Sequence, residues 1–162
     1  MSGDKEIRVQ LLNLLRGGSA HMDFNEVIAN FPLKYINKKP PNVPYTFWHL
    51  LEHMRIAQRD ILEFIRNPEH VSPDWPDEYW PQKDQRAGKV RWDKTIKGFR
   101  ADLKSILNLV KNPETDFFAP IPHARNYNIF REILLVADHN SFHIGEFIIL
   151  RQVVKTLPPD RW

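Results

Sequence analysis

Apolar side chains recur every three to four positions along most of the chain, which is the spacing of one face of an α-helix. The repeat is most sustained in one stretch: Trp92, Ile96, Phe99, Leu103, Ile106, Leu107 and Val110. Half-buried strands would instead show strict alternation of apolar and polar positions, and we find no convincing strand. The pattern therefore predicts an all-α protein.

Thirteen prolines divide the chain into four proline-free spans. Proline lacks an amide hydrogen and clashes with the preceding turn, so a long helix does not run through it. The spans are residues 1–31, 45–67, 82–112 and 123–157. Each carries helical spacing, which predicts four main helices packed as a bundle.

The predicted ends of these helices follow from local signals. Gly17-Gly18 stops the first helix, and a short second piece follows from Phe24 to Phe31. The second long helix has Thr46 as its N-cap and ends at Asn67-Pro68, while the third ends before Pro113. The fourth begins near Asn126 or Asn128 and can extend to Leu157.

The connection between the second and third long helices, Pro68 to Gln85, contains Trp75, Tyr79 and Trp80 among four prolines. It is too aromatic for a mere linker. A connection of this length is usually packed or functional, and it allows the two helices to run parallel. We expect a long crossover loop here.

The composition fits one globular domain that covers residues 1–162. With 42% hydrophobic and 27% charged positions, the chain can bury a core and is too short for two ordinary domains. Met1 to Glu6 lack the basic start of a secretory signal, and no apolar run approaches the roughly 20 residues that cross a bilayer. We therefore expect a cytoplasmic protein with no membrane span.

The absence of cysteine and the small net charge limit the kinds of functional site that we expect. Without cysteine, any metal must be held by nitrogen and oxygen, and disulfides and a cysteine nucleophile are excluded. The net charge of +3 is too small for a nucleic-acid signature. Lys97, Arg100 and Lys104 share one face of the third long helix, but such charges usually face solvent, so we do not expect nucleic-acid binding.

Four of the seven histidines form two pairs four residues apart, His49 with His53 and His139 with His143. On a helix, residues four apart lie on one face about 6 Å apart, so each pair can present two imidazoles to one metal ion. One such pair alone is more often a polar surface feature. Two pairs on separate helices predict a metal centre, because helix bundles form such sites from side chains that project inward.

A carboxylate accompanies the second pair. Glu132, His139 and Glu146 are spaced by seven and lie along one stripe of the fourth helix, with His143 beside them. Glu146 could be a fourth ligand, an acceptor that orients a histidine, or a general base acting on a metal-bound water or substrate. We predict Glu146 as the catalytic residue.

Two segments resemble the DinB/YfiT-like superfamily. They are FWHLLEHMRIAQRDIL at 47–62 and EILLVADHNSFHIGE at 132–146, and the match extends over nearly the whole chain. The stretches WPDEYWP at 75–81 and GGSAHM at 17–22 are similar to one bacterial subgroup. The resemblance implies a four-helix bundle of up-down-down-up topology that binds one divalent metal ion, Ni, Zn, Fe or Mn, through three histidines.

Carried over by position, the implied metal ligands are His49 from the second helix and His139 and His143 from the His-x-x-x-His-x-Gly pattern of the last. His53 is then left beside the site, and its place four residues after His49 keeps it as the rival for that ligand position. The family usually has glutamine where this chain has Glu146, so this chain adds a negative charge beside the metal.

The resemblance also implies an activity. Family members resemble metal-dependent S-transferases that use a low-molecular-weight thiol, such as bacillithiol, mycothiol or glutathione, while others are isomerases or hydrolases. We therefore expect transfer of a thiol to an electrophilic small-molecule substrate, with metal-dependent hydrolysis as an alternative. A non-catalytic metal-binding or structural bundle that forms a homodimer is the other alternative.

Overall fold

A computed structural model describes residues 2–158 of the chain. These residues are mostly helical, with one small two-stranded sheet. The α-helices are α1 (Ser2–Arg16), α2 (Phe24–Ile28), α3 (Phe47–Arg66), α4 (Lys89–Lys111) and α5 (Ile129–Val153), and the strands are β1 (Pro120–Ile121) and β2 (Ala124–Asn128). The predicted single domain also includes residues 1 and 159–162, which lie outside the described residues.

The helix ends follow the predicted signals in most cases. Thr46 caps α3, because its side chain accepts a hydrogen bond from the backbone N–H of His49. Asn128 caps α5 in the same way through Arg131. The prediction that the last helix extends to Leu157 is wrong, since α5 ends at Val153.

The four long helices contact one another through two groups of buried apolar side chains. The first group joins α2, the start of α3, the first half of α4 and the end of α5, and its largest members are Phe47, Trp48, Phe99 and Phe147. The second joins α1, the end of α3, the end of α4 and the start of α5. Together the two groups form the core between the helices, as the apolar repeat predicts.

Polar contacts between helices lie at several levels of this core. Between α3 and α4, Thr95 Oγ1 donates to Glu52 Oε2 at 2.6 Å and Arg59 Nη1 donates to Asp102 Oδ1 at 3.0 Å. Buried polar groups must find partners, so these bonds fix how the two helices are aligned.

A buried amide pair connects α3 to two other helices. Asn140 Nδ2 of α5 donates to Gln58 Oε1 at 2.9 Å, while Gln58 Nε2 donates to the carbonyl of Phe99 in α4 at 2.8 Å. The fully buried Gln58 is thus satisfied on both sides of its amide.

The segment before α5 forms a small hairpin that the sequence analysis did not predict. Pro120 pairs with Asn128 and Ile121 with Ala124 in an antiparallel arrangement. Pro120 and Pro122 exclude helix here, and strands this short show no alternation that could have been recognised. The hairpin leads directly into the capped start of α5.

α5 is long and apolar enough, by length and composition alone, to cross a membrane. Half of its most apolar window is buried inside the protein, and the helix also buries Glu132 and Arg151. The core helix of a soluble protein meets the same test, so this is weak evidence for a membrane span. A cytoplasmic location stays a prediction.

Candidate metal centre

Three histidines from two helices meet between α3 and α5. Nε2 of His53 lies 3.1 Å from Nε2 of His143 and 3.1 Å from Nε2 of His139. One ring nitrogen of each histidine lies within 4.8 Å of the others. His53 and His143 are buried and His139 is partly buried, so the cluster lies inside the bundle with one side towards the surface.

Hydrogen bonds on the far side of two of these rings determine which nitrogen carries the proton. His53 Nδ1 lies 2.9 Å from the backbone carbonyl oxygen of Tyr79, and His143 Nδ1 lies 2.7 Å from Glu146 Oε2. Both partners are acceptors, so each Nδ1 must be the N–H donor. In a neutral imidazole the other nitrogen, Nε2, then presents a lone pair.

The two Nε2 atoms of His53 and His143 therefore face each other as acceptors at 3.1 Å. Two lone pairs at this distance need a positive ion between them, either a proton or a metal ion. Two nitrogens that bind one Zn²⁺ at about 2.0–2.1 Å stand roughly 3.3–3.4 Å apart in a tetrahedral shell and roughly 2.8–3.0 Å apart as neighbours in an octahedral shell. The two 3.1 Å distances from His53 Nε2 lie between these values, so the three histidines could hold one divalent metal ion.

The surroundings keep these imidazoles neutral, which is the form that binds metal. Burial, together with the neighbouring His53, lowers the pKa of His139 to about 4. Burial and the two neighbouring imidazoles also lower the pKa of His143, and burial lowers that of His53. The imidazoles are therefore mostly unprotonated at neutral pH, and a metal ion meets little competition from protons.

His49, the ligand carried over by position, does not reach this cluster. Its Nδ1 accepts from the backbone N–H of Thr46 at 3.4 Å, as part of the N-terminal cap of α3. Its Nε2 then carries the proton and donates to the carbonyl oxygen of Gln85 at 3.0 Å. With both nitrogens engaged, His49 has no lone pair for a metal, and the rival, His53, takes its place in the cluster.

Glu146 contacts His143 and does not join the three clustered nitrogens. Of its three candidate roles, the geometry matches the acceptor that orients a histidine. Burial raises the pKa of Glu146, so the carboxylate depends on the N–H of His143 for its stabilisation. Its role as a general base stays a prediction.

Aromatic side chains cover the cluster. The indole of Trp80 stacks on the ring of His53 with centroids 3.9 Å apart and an angle of 2°, and Tyr45 stacks on Trp80 at 4.9 Å. Phe142 lies 4.9 Å from His143 by ring centroids and is 69% exposed. The approach to the histidines is therefore bordered by flat apolar surfaces.

No family model matches the chain, and no curated protein or solved structure matches it either.

Sequence reasoning singled out the aromatic loop but missed its contacts with α3. Tyr79 acts through its backbone carbonyl, which no side-chain pattern reveals. Asp60 accepts a hydrogen bond from the hydroxyl of Tyr79. Its position could have been predicted from the sequence, because it lies seven residues after His53 and therefore on the same face of α3.

Proposed function

We propose that the protein binds one divalent metal ion through His53, His139 and His143. The observation that carries the proposal is the convergence of three imidazoles, two of which have Nδ1 committed to an acceptor and Nε2 turned towards the others. Among residues 2–158 no fourth histidine or carboxylate joins the cluster. Three protein ligands with positions left open are typical of a catalytic rather than a closed structural site.

The proposal includes a DinB/YfiT-like four-helix arrangement of up-down-down-up topology. Two contacts between α3 and α4 support this topology. Glu52 of α3 bonds Thr95 of α4, and Arg59, further along α3, bonds Asp102, further along α4. This order is that of parallel helices.

Contacts of α3 with α5 run in the opposite order. His53 meets His143, whereas Gln58, further along α3, meets the earlier Asn140. This order favours antiparallel α3 and α5. Similarly, Arg8 in the middle of α1 meets Val110 at the end of α4, whereas Arg16 at the end of α1 lines a surface cavity with the earlier Leu103, which favours antiparallel α1 and α4.

For the reaction, we propose transfer of a low-molecular-weight thiol to an electrophilic small molecule. A bound divalent metal supplies a positive charge that lowers the pKa of a coordinated thiol or water. His53 and His143 keep their Nε2 lone pairs directed at that position, and Glu146 holds His143 in this orientation. Trp80 and Phe142 place apolar rings against His53 and His143, and such surfaces would suit an apolar electrophile.

Metal content of untagged protein, measured by plasma mass spectrometry, tests the metal site. We expect about one Ni, Zn, Fe or Mn per chain in the wild type and loss of that metal in His139→Ala. His123→Ala is the matched control, because His123 is exposed and bonds only the carbonyl of Phe64. Wild-type protein that contains no metal and refuses added nickel and zinc would refute the site.

Turnover assays separate the two enzymatic alternatives. Metal-loaded protein is mixed with standard electrophiles in the presence and absence of bacillithiol, mycothiol or glutathione. Thiol-dependent loss of the electrophile supports S-transfer, whereas turnover of ester or amide substrates without thiol supports hydrolysis. If no substrate is turned over in either assay, the enzymatic proposal fails while the metal site can still stand.

Self-association is favoured by one surface of α5. Leu135, Phe142 and Ile149 are spaced by seven residues and are 38%, 69% and 56% exposed, so they form an apolar stripe on the outside of the helix. We propose that two copies pack through this stripe as a homodimer. Light scattering is expected to give a dimer that Ile149→Lys dissociates, and a wild-type monomer at micromolar concentrations would contradict it.

A further inference from the structure

Asp60 lies on the same side of α3 as His53, seven residues or about 10 Å further along the helix. Its buried carboxylate accepts two hydrogen bonds. Tyr79 Oη donates to Oδ2 at 2.6 Å, and His70 Nε2 lies 2.7 Å from Oδ1. Both partners belong to the crossover loop between α3 and α4, so one carboxylate of α3 anchors that loop at two points.

Tyr79 connects this anchor to the metal centre. Its side chain binds Asp60, while its backbone carbonyl oxygen accepts from His53 Nδ1 at 2.9 Å. Burial and the hydrogen bond to Asp60 raise the pKa of Tyr79, so its hydroxyl keeps the proton that it donates. The next residue, Trp80, stacks flat on the ring of His53. One short segment therefore determines both the protonated nitrogen and the ring plane of His53.

We propose that Asp60 is a positioning residue for the metal centre, acting through Tyr79 on His53. By holding the Tyr79 hydroxyl, Asp60 keeps the Tyr79 carbonyl at the correct distance from His53 Nδ1. This keeps the proton on Nδ1 and leaves Nε2 free. The inference rests on the proposed metal site for its functional meaning, but the orientation of His53 can be measured in metal-free protein.

A purely structural role for Asp60 predicts something different. In that case, loss of the anchor lowers the stability of the fold without changing His53. The neighbouring Glu63 provides a matched control on the same helix, because its carboxylate pairs with Arg59 and Arg66 at 2.5 Å. Glu63→Gln therefore also removes a carboxylate charge from α3, but the partners of that carboxylate are arginines of the same helix. It controls for the loss of charge alone.

The test compares Tyr79→Phe, Asp60→Asn and Glu63→Gln with the wild type. Nitrogen-15 NMR of the imidazoles in metal-free protein reports the tautomer of His53, whose signal is assigned by its absence in His53→Ala. We expect the Nδ1–H tautomer in the wild type and in Glu63→Gln. In Tyr79→Phe and Asp60→Asn we expect a mixture of both tautomers.

Zinc affinity, measured by competition with a chromophoric chelator, gives the second readout. Partners that orient a metal ligand usually contribute 10–100-fold to affinity, and this one acts through an additional bond, so we expect roughly tenfold weaker binding in each loop variant. Asp60→Asn combined with Tyr79→Phe should weaken binding no more than the stronger single change, since both break one pathway.

The outcomes separate this inference from the metal site itself. An unchanged His53 tautomer and unchanged zinc affinity in folded Tyr79→Phe would overturn the role of Asp60 while leaving the metal site intact. Wild-type protein that binds neither zinc nor nickel would refute the metal site, and the NMR result would still decide whether Asp60 positions His53. Tyr79→Phe removes only one hydroxyl group, so it serves if Asp60→Asn fails to fold.

Discussion

Replacing each of the two histidines of α3 by alanine should separate a metal ligand from a structural histidine. Both are buried and lie one turn apart, and each donates one N–H to a carbonyl of the crossover loop. His53→Ala and His49→Ala therefore each remove a buried imidazole and one hydrogen bond to the loop, and His49→Ala also removes the acceptor of the Thr46 N–H at the start of α3. Only His53 contributes a nitrogen to the cluster.

The expected magnitudes follow from these contacts. Each substitution leaves a partly buried loop carbonyl without its donor, which costs at most about 1–3 kcal/mol, and the lost packing of the ring adds to this. A ligand present at 100 times its Kd stabilises the folded state by about 2.7 kcal/mol. For a domain of this size that corresponds to a rise in Tm of about 5–11 °C, which His49→Ala should retain and His53→Ala should lose.

Thermal unfolding followed by circular dichroism, with and without added zinc or nickel, measures these shifts on chelator-treated, untagged protein. Both variants should melt below the wild type when metal is absent. A metal-induced shift that persists in His53→Ala and disappears in His49→Ala would refute the reasoning and return His49 to the ligand set.

Three further outcomes are expected. Glu146→Gln should weaken metal binding about 10–100-fold, measured by chelator competition, because an amide is a poorer acceptor than a carboxylate for the N–H of His143; unchanged affinity would contradict this. Burial lowers the pKa of His139 to about 4, so below pH 6.5 the unfolded state of the metal-free protein binds more protons than the folded state. The urea concentration at the unfolding midpoint should therefore decrease as the pH is lowered from 7 to 4, and it should decrease less in His139→Gln. A midpoint that does not depend on pH would count against this reasoning. Arg151→Met should cost about 3 kcal/mol in urea unfolding, since the buried guanidinium donates to the carbonyls of Val27, Ala29 and Thr156, and an unchanged midpoint would contradict that role.

The four long helices could be predicted because two independent signals coincide in the sequence. Prolines exclude helix at particular positions, and apolar repeats indicate helix between them. The hairpin at 120–128 could not be predicted, because its strands are held by local turns and by the entry into α5 rather than by a repeating pattern.

Two of the three histidines in the candidate site were predicted from the sequence, and the metal itself stays a prediction. His139 and His143 share a face of one helix, so their spacing alone brings them together. The choice between His49 and His53 depends on which carbonyl of the crossover loop meets each ring, and helical spacing contains no information about that loop. The resemblance by position selected His49, whereas the hydrogen bonds select His53.

The packing of α1 has a consequence for the order in which the chain folds. Arg8 donates to the carbonyls of Val110 and Thr115, which lie 102 and 107 residues later in the sequence. At a synthesis rate of about 5–20 residues per second, roughly 5–20 s pass before these acceptors exist. α1 is therefore synthesised well before the segments that hold it, and a chain that stops before α4 is complete leaves Leu11 and Leu15 without much of the surface that covers them.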